Sequence, residues 1–125
     1  MTKKLIELSV LTGDLPAAAA AWAGASRLAA QISDGEGRIT VGDVLVRLLS
    51  PDAGRRPAEL LTARGEGMYE LVIEVDDVVD AMADLRVKDV LLSGVELGES
   101  GRREIRIDPA SSHGVPIRLV ESGHA

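Results

Sequence analysis

Hydrophobic residues recur along this chain in short alternating runs, and two of those runs echo each other. In the stretch from Leu5 to Thr12, Ile6, Leu8 and Val10 fall on one face of an extended strand, opposite Glu7 and Ser9. In the stretch from Gly67 to Val78, Tyr69, Leu71, Ile73 and Val75 share one face, opposite Glu70, Val72 and Glu74. Each run leads into an aspartate, Asp14 and Asp77, placed as a helix N-cap. Pro16 then stands in a first helical turn, where a missing N–H costs nothing. Ala17 to Ala23 has high helix propensity, with Trp22 as its one large anchor and Gly24 as its expected end. The second helix runs from Val78 to about Val87, with Val78, Val79, Met82 and Leu85 as its apolar stripe.

Strands fill the rest of each half. The pattern predicts strands over Arg27 to Ile32, Arg38 to Val41 and Val44 to Leu49, with a turn at Asp34-Gly35-Glu36-Gly37. Later come Val90 to Leu97, Arg103 to Ile107, and an alternation of Val115, Ile117 and Leu119 with Pro116, Arg118 and Val120. Between the halves, residues 55–67 read as a polar connection with one helical turn at Ala58 to Ala63. Strand, helix and three strands thus occur twice. Ile6-Glu7-Leu8 and Tyr69-Glu70-Leu71 stand 63 positions apart, as do Asp14 and Asp77, and Trp22 and Leu85. Arg47 and Arg118 keep a related offset of 71. The expected fold class is therefore α+β: tandem βαβββ repeats, residues 1–54 and 68–125, forming one domain with a curved mixed sheet and a cleft. In each repeat the helix-side face of the sheet is expected to be apolar, and Glu and Arg fall on the other.

Composition narrows the function. A chain of 125 residues with 46% hydrophobic content needs neither disulfide nor metal to fold. A net charge of −6, with arginines scattered among carboxylates, argues against nucleic acid or an anionic membrane as partner. No apolar run approaches a membrane span, so a cytoplasmic location is the expectation. With no cysteine, thiolate chemistry is excluded. Gly65-x-Gly67 precedes a strand and opens no helix, so it is not a phosphate-binding loop.

The segment Arg64-Gly65-Glu66-Gly67-Met68-Tyr69-Glu70-Leu71-Val72-Ile73-Glu74-Val75-Asp76-Asp77 resembles the RGEG-x-HH-x-x-x-EVDD stretch of methylmalonyl-CoA epimerases. Gly101-Arg102-Arg103 with Asp108-Pro109-x-Ser111-Ser112-His113-Gly114-Val115-Pro116-Ile117 resembles their C-terminal motif. Those enzymes belong to the vicinal oxygen chelate superfamily, with glyoxalase I, extradiol dioxygenases and bleomycin-resistance proteins. The resemblance implies the tandem βαβββ fold, and by analogy a homodimer. The family holds a divalent cation at four positions, which here match Glu7, Arg47, Glu70 and Arg118. Arginine has no lone pair to give and stays protonated, so this set predicts no metal and no other cofactor.

Three roles remain open for the four residues. They can pair as salt bridges that fill the emptied cation site. Alternatively Arg47 and Arg118 bind a small carboxylate or acyl thioester, with Glu70 or Glu7 as catalytic base and His113 touching the thioester or phosphate. That reading makes the chain a metal-independent epimerase, isomerase or lyase. The third role is sequestration of a small molecule such as an antibiotic, in the manner of bleomycin-resistance proteins. An aromatic content of 2% leaves little to stack on a planar drug.

Overall fold

The computed structural model describes residues 3–98, 101–112 and 114–122, and the chain divides into two compact units. One covers residues 7–69; the other covers residues 70 onward together with the first six. The first unit takes most of strand β1 (Lys3–Leu11), then helix α1 (Leu15–Ser26), strands β2 (Gln31–Ser33), β3 (Glu36–Val41) and β4 (Val44–Leu49), and helix α2 (Arg55–Arg64). The second takes most of β5 (Gly67–Val75), then α3 (Val78–Val87), β6 (Glu96–Leu97), β7 (Arg103–Ile107) and β8 (Ile117–Glu121). This is the α+β class with tandem βαβββ repeats that the alternation predicted.

The two units share one topology. In the first, strand order is β2-β3-β4-β1, with β1 parallel to β4 and the other pairs antiparallel. In the second, order is β5-β8-β7-β6, again with the first strand parallel to the last of its repeat. The parallel pairing demands a crossover, and the helix supplies it. Both helices start where the aspartates stand. Asp14 Oδ1 accepts from Ala17 N at 3.1 Å, and Asp77 Oδ1 accepts from Val79 N at 2.8 Å and Asp80 N at 3.1 Å.

Alternation sorts the side chains as expected. Leu8, Val10, Ile39, Val46 and Leu48 meet Leu15, Ala19 and Trp22 of α1 in one core. Ile73, Val75, Ile105 and Leu119 meet Val78, Ala81, Met82 and Leu85 of α3 in the other.

Four local expectations are corrected. Helix α1 passes Gly24 and ends at Arg27, which takes the left-handed conformation at φ 61°. Ser26 Oγ closes that end, donating to Trp22 O at 2.7 Å and accepting from Leu28 N at 3.2 Å. The strand expected over Arg27 to Ile32 shrinks to Gln31–Ser33, because β3 already begins at Glu36 and Ser33 pairs with it across a two-residue turn. The strand expected over Val90 to Leu97 is interrupted: Leu92 bridges Ile107 and only Glu96–Leu97 pairs regularly. There Ser93 Oγ accepts from Arg106 N at 2.9 Å, a side chain taking the place of a ladder carbonyl. Residues 55–64 form a full helix, where one turn was expected; it buries no residue, and its charged residues disguise it as a polar connection.

The turn between β2 and β3 yields a prediction. Asp34 and Gly35 sit at φ 53° and 77°, the pair of positive values that a tight hairpin with right-handed twist requires. Gly35 O also accepts from Ser50 N at 3.1 Å and Ser50 Oγ at 2.7 Å. A Cβ on Gly35 would lie 2.6 Å from the backbone carbon of Asp52. Gly35→Ala is expected to cost more than about 1 kcal/mol in urea unfolding, through both strain and overlap.

Candidate functional site

The four residues singled out by the repeat fall as two pairs, one in each unit. On the sheet face turned away from α1, Arg47 Nη1 lies 3.4 Å from Glu7 Oε2. On the face turned away from α3, Arg118 Nε lies 3.2 Å from Glu70 Oε1. Each pair belongs to a larger cluster that neighbouring strands complete.

In the first unit the register sets Arg38 of β3 beside Arg47 of β4. Glu36 stands two residues earlier on the same face. Arg47 Nε donates to Glu36 Oε1 at 3.0 Å, its Nη2 pairs with the same oxygen, and Arg38 Nε pairs with Glu36 Oε2. Ser9, fully buried, donates to Glu7 at 3.3 Å. In the second unit the register sets Arg106 of β7 beside Arg118 of β8. Arg118 Nη1 donates to Glu104 Oε2 at 3.2 Å. Arg106 stands 3.8 Å from Glu70, Glu104 and Glu96, at ion-pair range without hydrogen bonds. Glu70 and Glu104 are each 7% exposed.

The molecule therefore carries two clusters of one design, Glu7/Glu36/Arg38/Arg47 and Glu70/Glu104/Arg106/Arg118. Half of each was missed in the sequence. The missed signal is Glu36-Gly37-Arg38 repeated as Glu104-Ile105-Arg106, an identical Glu-x-Arg spacing 68 positions apart. It was hidden because Glu36 was assigned to a turn. His113 lies outside the described residues, as does His124. Trp22 packs on its core as expected.

Electrostatics in the first cluster favour the charged forms. Burial pushes the Glu36 carboxyl up, but hydrogen bonds from Arg47 and Arg38 outweigh it and hold the group below its ordinary value near 4.5. Burial likewise pulls on Arg47, and Glu36 with Glu7 more than restores its affinity for the proton. A carboxyl held down in the folded state adds stability above about pH 4.5 that is lost as pH falls through the folded value. Stability is thus expected to fall on acidification below about pH 4.5, and Arg47→Gln to flatten that slope; urea melts at pH 6 and pH 3.5 measure it.

A third group of ions has a local task. Arg103 Nε donates to Glu121 Oε2 at 3.0 Å, and Glu121 Oε1 accepts from Val78 N at 3.3 Å at the start of α3. The Arg103 hydrogen bond holds the Glu121 carboxyl below its ordinary range.

The clusters do not fit a divalent cation. Two of the four residues in these pairs, Arg47 and Arg118, are guanidiniums, and every carboxylate of the set already faces one. Among the described residues no group of three or more His, Asp or Glu is disposed to hold a metal ion. No helix among them is long and apolar enough to cross a membrane.

Solved structures give the comparison. A methylmalonyl-CoA epimerase of Mycobacterium tuberculosis superposes with a TM-score of 0.70 at 23% identity, covering 96% of this chain and 88% of that one. The fold is that of the methylmalonyl-CoA epimerases. A variant of the Streptomyces coelicolor methylmalonyl-CoA epimerase, solved in complex with 2-nitronate-propionyl-CoA, gives 0.71 at 21% identity over 98% of this chain and 96% of that one. A hypothetical protein of Bacillus halodurans gives 0.77 at 18% identity, covering 100% and 98%. No family model matches the chain, and no curated protein sequence matches it. The expected vicinal oxygen chelate architecture is thus borne out as a fold.

Proposed function

We propose that this chain binds a small carboxylate, free or carried as an acyl thioester, through the arginines of its Glu/Arg clusters and without a divalent cation. One observation carries the reading. At the positions that match the family's cation ligands, the charge complementary to an anion is supplied by Arg47 and Arg118, each fixed in place by glutamates. A guanidinium offers forked donors that fit a carboxylate or a developing enolate. Beside the two fixed arginines, Arg38 and Arg106 are about half exposed, so their donors face incoming solute. The epimerases of this fold solved with methylmalonyl-CoA or a nitronate analogue support the ligand class.

A thermal-shift screen across acyl-CoAs, 2-oxo acids and antibiotics tests the class. An acyl-CoA or carboxylate at about 100 times its Kd is expected to stabilise by about 2.7 kcal/mol. A shift from a planar cationic drug, with none from any carboxylate, would replace this reading with antibiotic sequestration.

The burial of Glu70 favours a second step, proton transfer. Its carboxylate removes the α-proton of the acyl group, the electron pair moves onto the thioester oxygen as an enolate, and Arg118 offsets the new charge. Return of the proton from Glu70 restores the acyl thioester. Solvent deuterium is expected to wash into C2 of methylmalonyl-CoA, and Glu70→Gln to abolish it. Tight binding with no exchange leaves a binding module.

A further inference from the structure

The core of the second unit borders a pocket that opens beside its helix. Between α3 and its sheet lies a cavity of about 200 Å³, floored by Ile73, Ile107 and Ile117 and roofed by Ala81 and Leu85. Asp84 and Lys88, both exposed, complete its lining, so it reaches the surface of the helix. It lies on the opposite face of the sheet from the Glu/Arg cluster and shares no residue with it.

The repeat gives a physical reason for the space. Leu85 stands where the first unit has Trp22, and Val78 where it has Leu15. Trp22 packs on the core of its own unit, whereas the smaller Leu85 borders the cavity. Side chains of a core normally interdigitate to crystal-like density, and a void lined by apolar groups forfeits their dispersion contacts.

We propose that this cavity is a binding site for a compact uncharged apolar molecule, about the size of benzene or a six-carbon hydrocarbon. Away from its rim the lining is apolar, and apolar cavities of about 150 Å³ take up benzene. The volume is below the roughly 300 Å³ at which drug-sized pockets begin, which sets the size of the occupant. One acid and one base on its rim cancel, so neither an anion nor a cation is selected. This site is independent of the carboxylate reading above.

Benzene titrated into the full chain, followed by methyl NMR and thermal melting, tests it. Methyl signals of Ile73, Ile107, Ile117 and Leu119 are expected to move, while those of Ile39, Val46 and Leu48 in the other core stay. At about ten times its Kd, benzene is expected to raise Tm by about 5 °C. Ala81→Leu and Leu85→Phe each fill the cavity from its roof; each is expected to raise Tm without benzene and to abolish the benzene response. Two variants guard against one failing to fold. No methyl shift at saturating benzene, equal shifts in both cores, or a response that survives in a folded filled variant would each overturn the proposal.

Discussion

Arg118→Met is expected to lower stability by about 3 kcal/mol, the low end of the range for breaking a buried ion pair. Arg118 is the cation shared by Glu70 and Glu104, which are each 7% exposed. Removing it leaves two carboxylates with little access to water, with the half-exposed Arg106 at 3.8 Å from both. Urea unfolding at pH 7 measures the loss, and Tm is expected to fall by about 10 °C. Arg106→Met is the control. Its side chain is half exposed and makes only long ion pairs, so it is expected to cost under about 1 kcal/mol. Equal effects of the two substitutions would show that burial does not set the strength of this cluster.

Replacing Glu70, Glu104 and Arg118 together is expected to restore most of that loss. In Glu70→Leu/Glu104→Leu/Arg118→Met the ion pairs of Arg118 with Glu70 and Glu104 are removed with both partners at once, and the half-exposed Arg106 can reach water. Apolar replacement of a buried ion cluster is often neutral or stabilising, because desolvation offsets much of the Coulomb attraction. The triple variant is therefore expected within about 1 kcal/mol of the natural chain, about 2 kcal/mol above Arg118→Met. Its value lies in what it separates. A folded triple variant that has lost affinity for every acyl thioester assigns the cluster to binding. One that keeps full affinity assigns it to packing alone.

Much of this was legible in the chain. Period-two alternation placed Leu8 and Val10 against one helix and Ile73 and Val75 against the other, because a strand with one apolar side has one way to bury it. Asp14 and Asp77 announced the helix starts, and the structure gives both the capping bonds. The Glu7–Arg47 and Glu70–Arg118 pairs were legible because position in a repeat is preserved where pairing partners are preserved. Glu36 and Glu104 were not, since they reach those arginines through antiparallel register, which a linear reading of single strands does not supply. The broken strand at Ser93-Gly94 escaped for a similar reason: a serine hydroxyl replaces a ladder carbonyl, and alternation is blind to that exchange. Helix α2 buries no residue, and its charged residues Arg55, Arg56, Glu59 and Arg64 made it read as a polar connection.

Calorimetric titration of methylmalonyl-CoA into chelator-treated protein tests the central proposal, anion binding by arginine in place of a metal. The same Kd is expected before and after chelation, and a Kd at least about tenfold weaker in Arg118→Gln, the loss of roughly one charge-assisted hydrogen bond. Binding that vanishes on chelation and returns only with a divalent cation would contradict it.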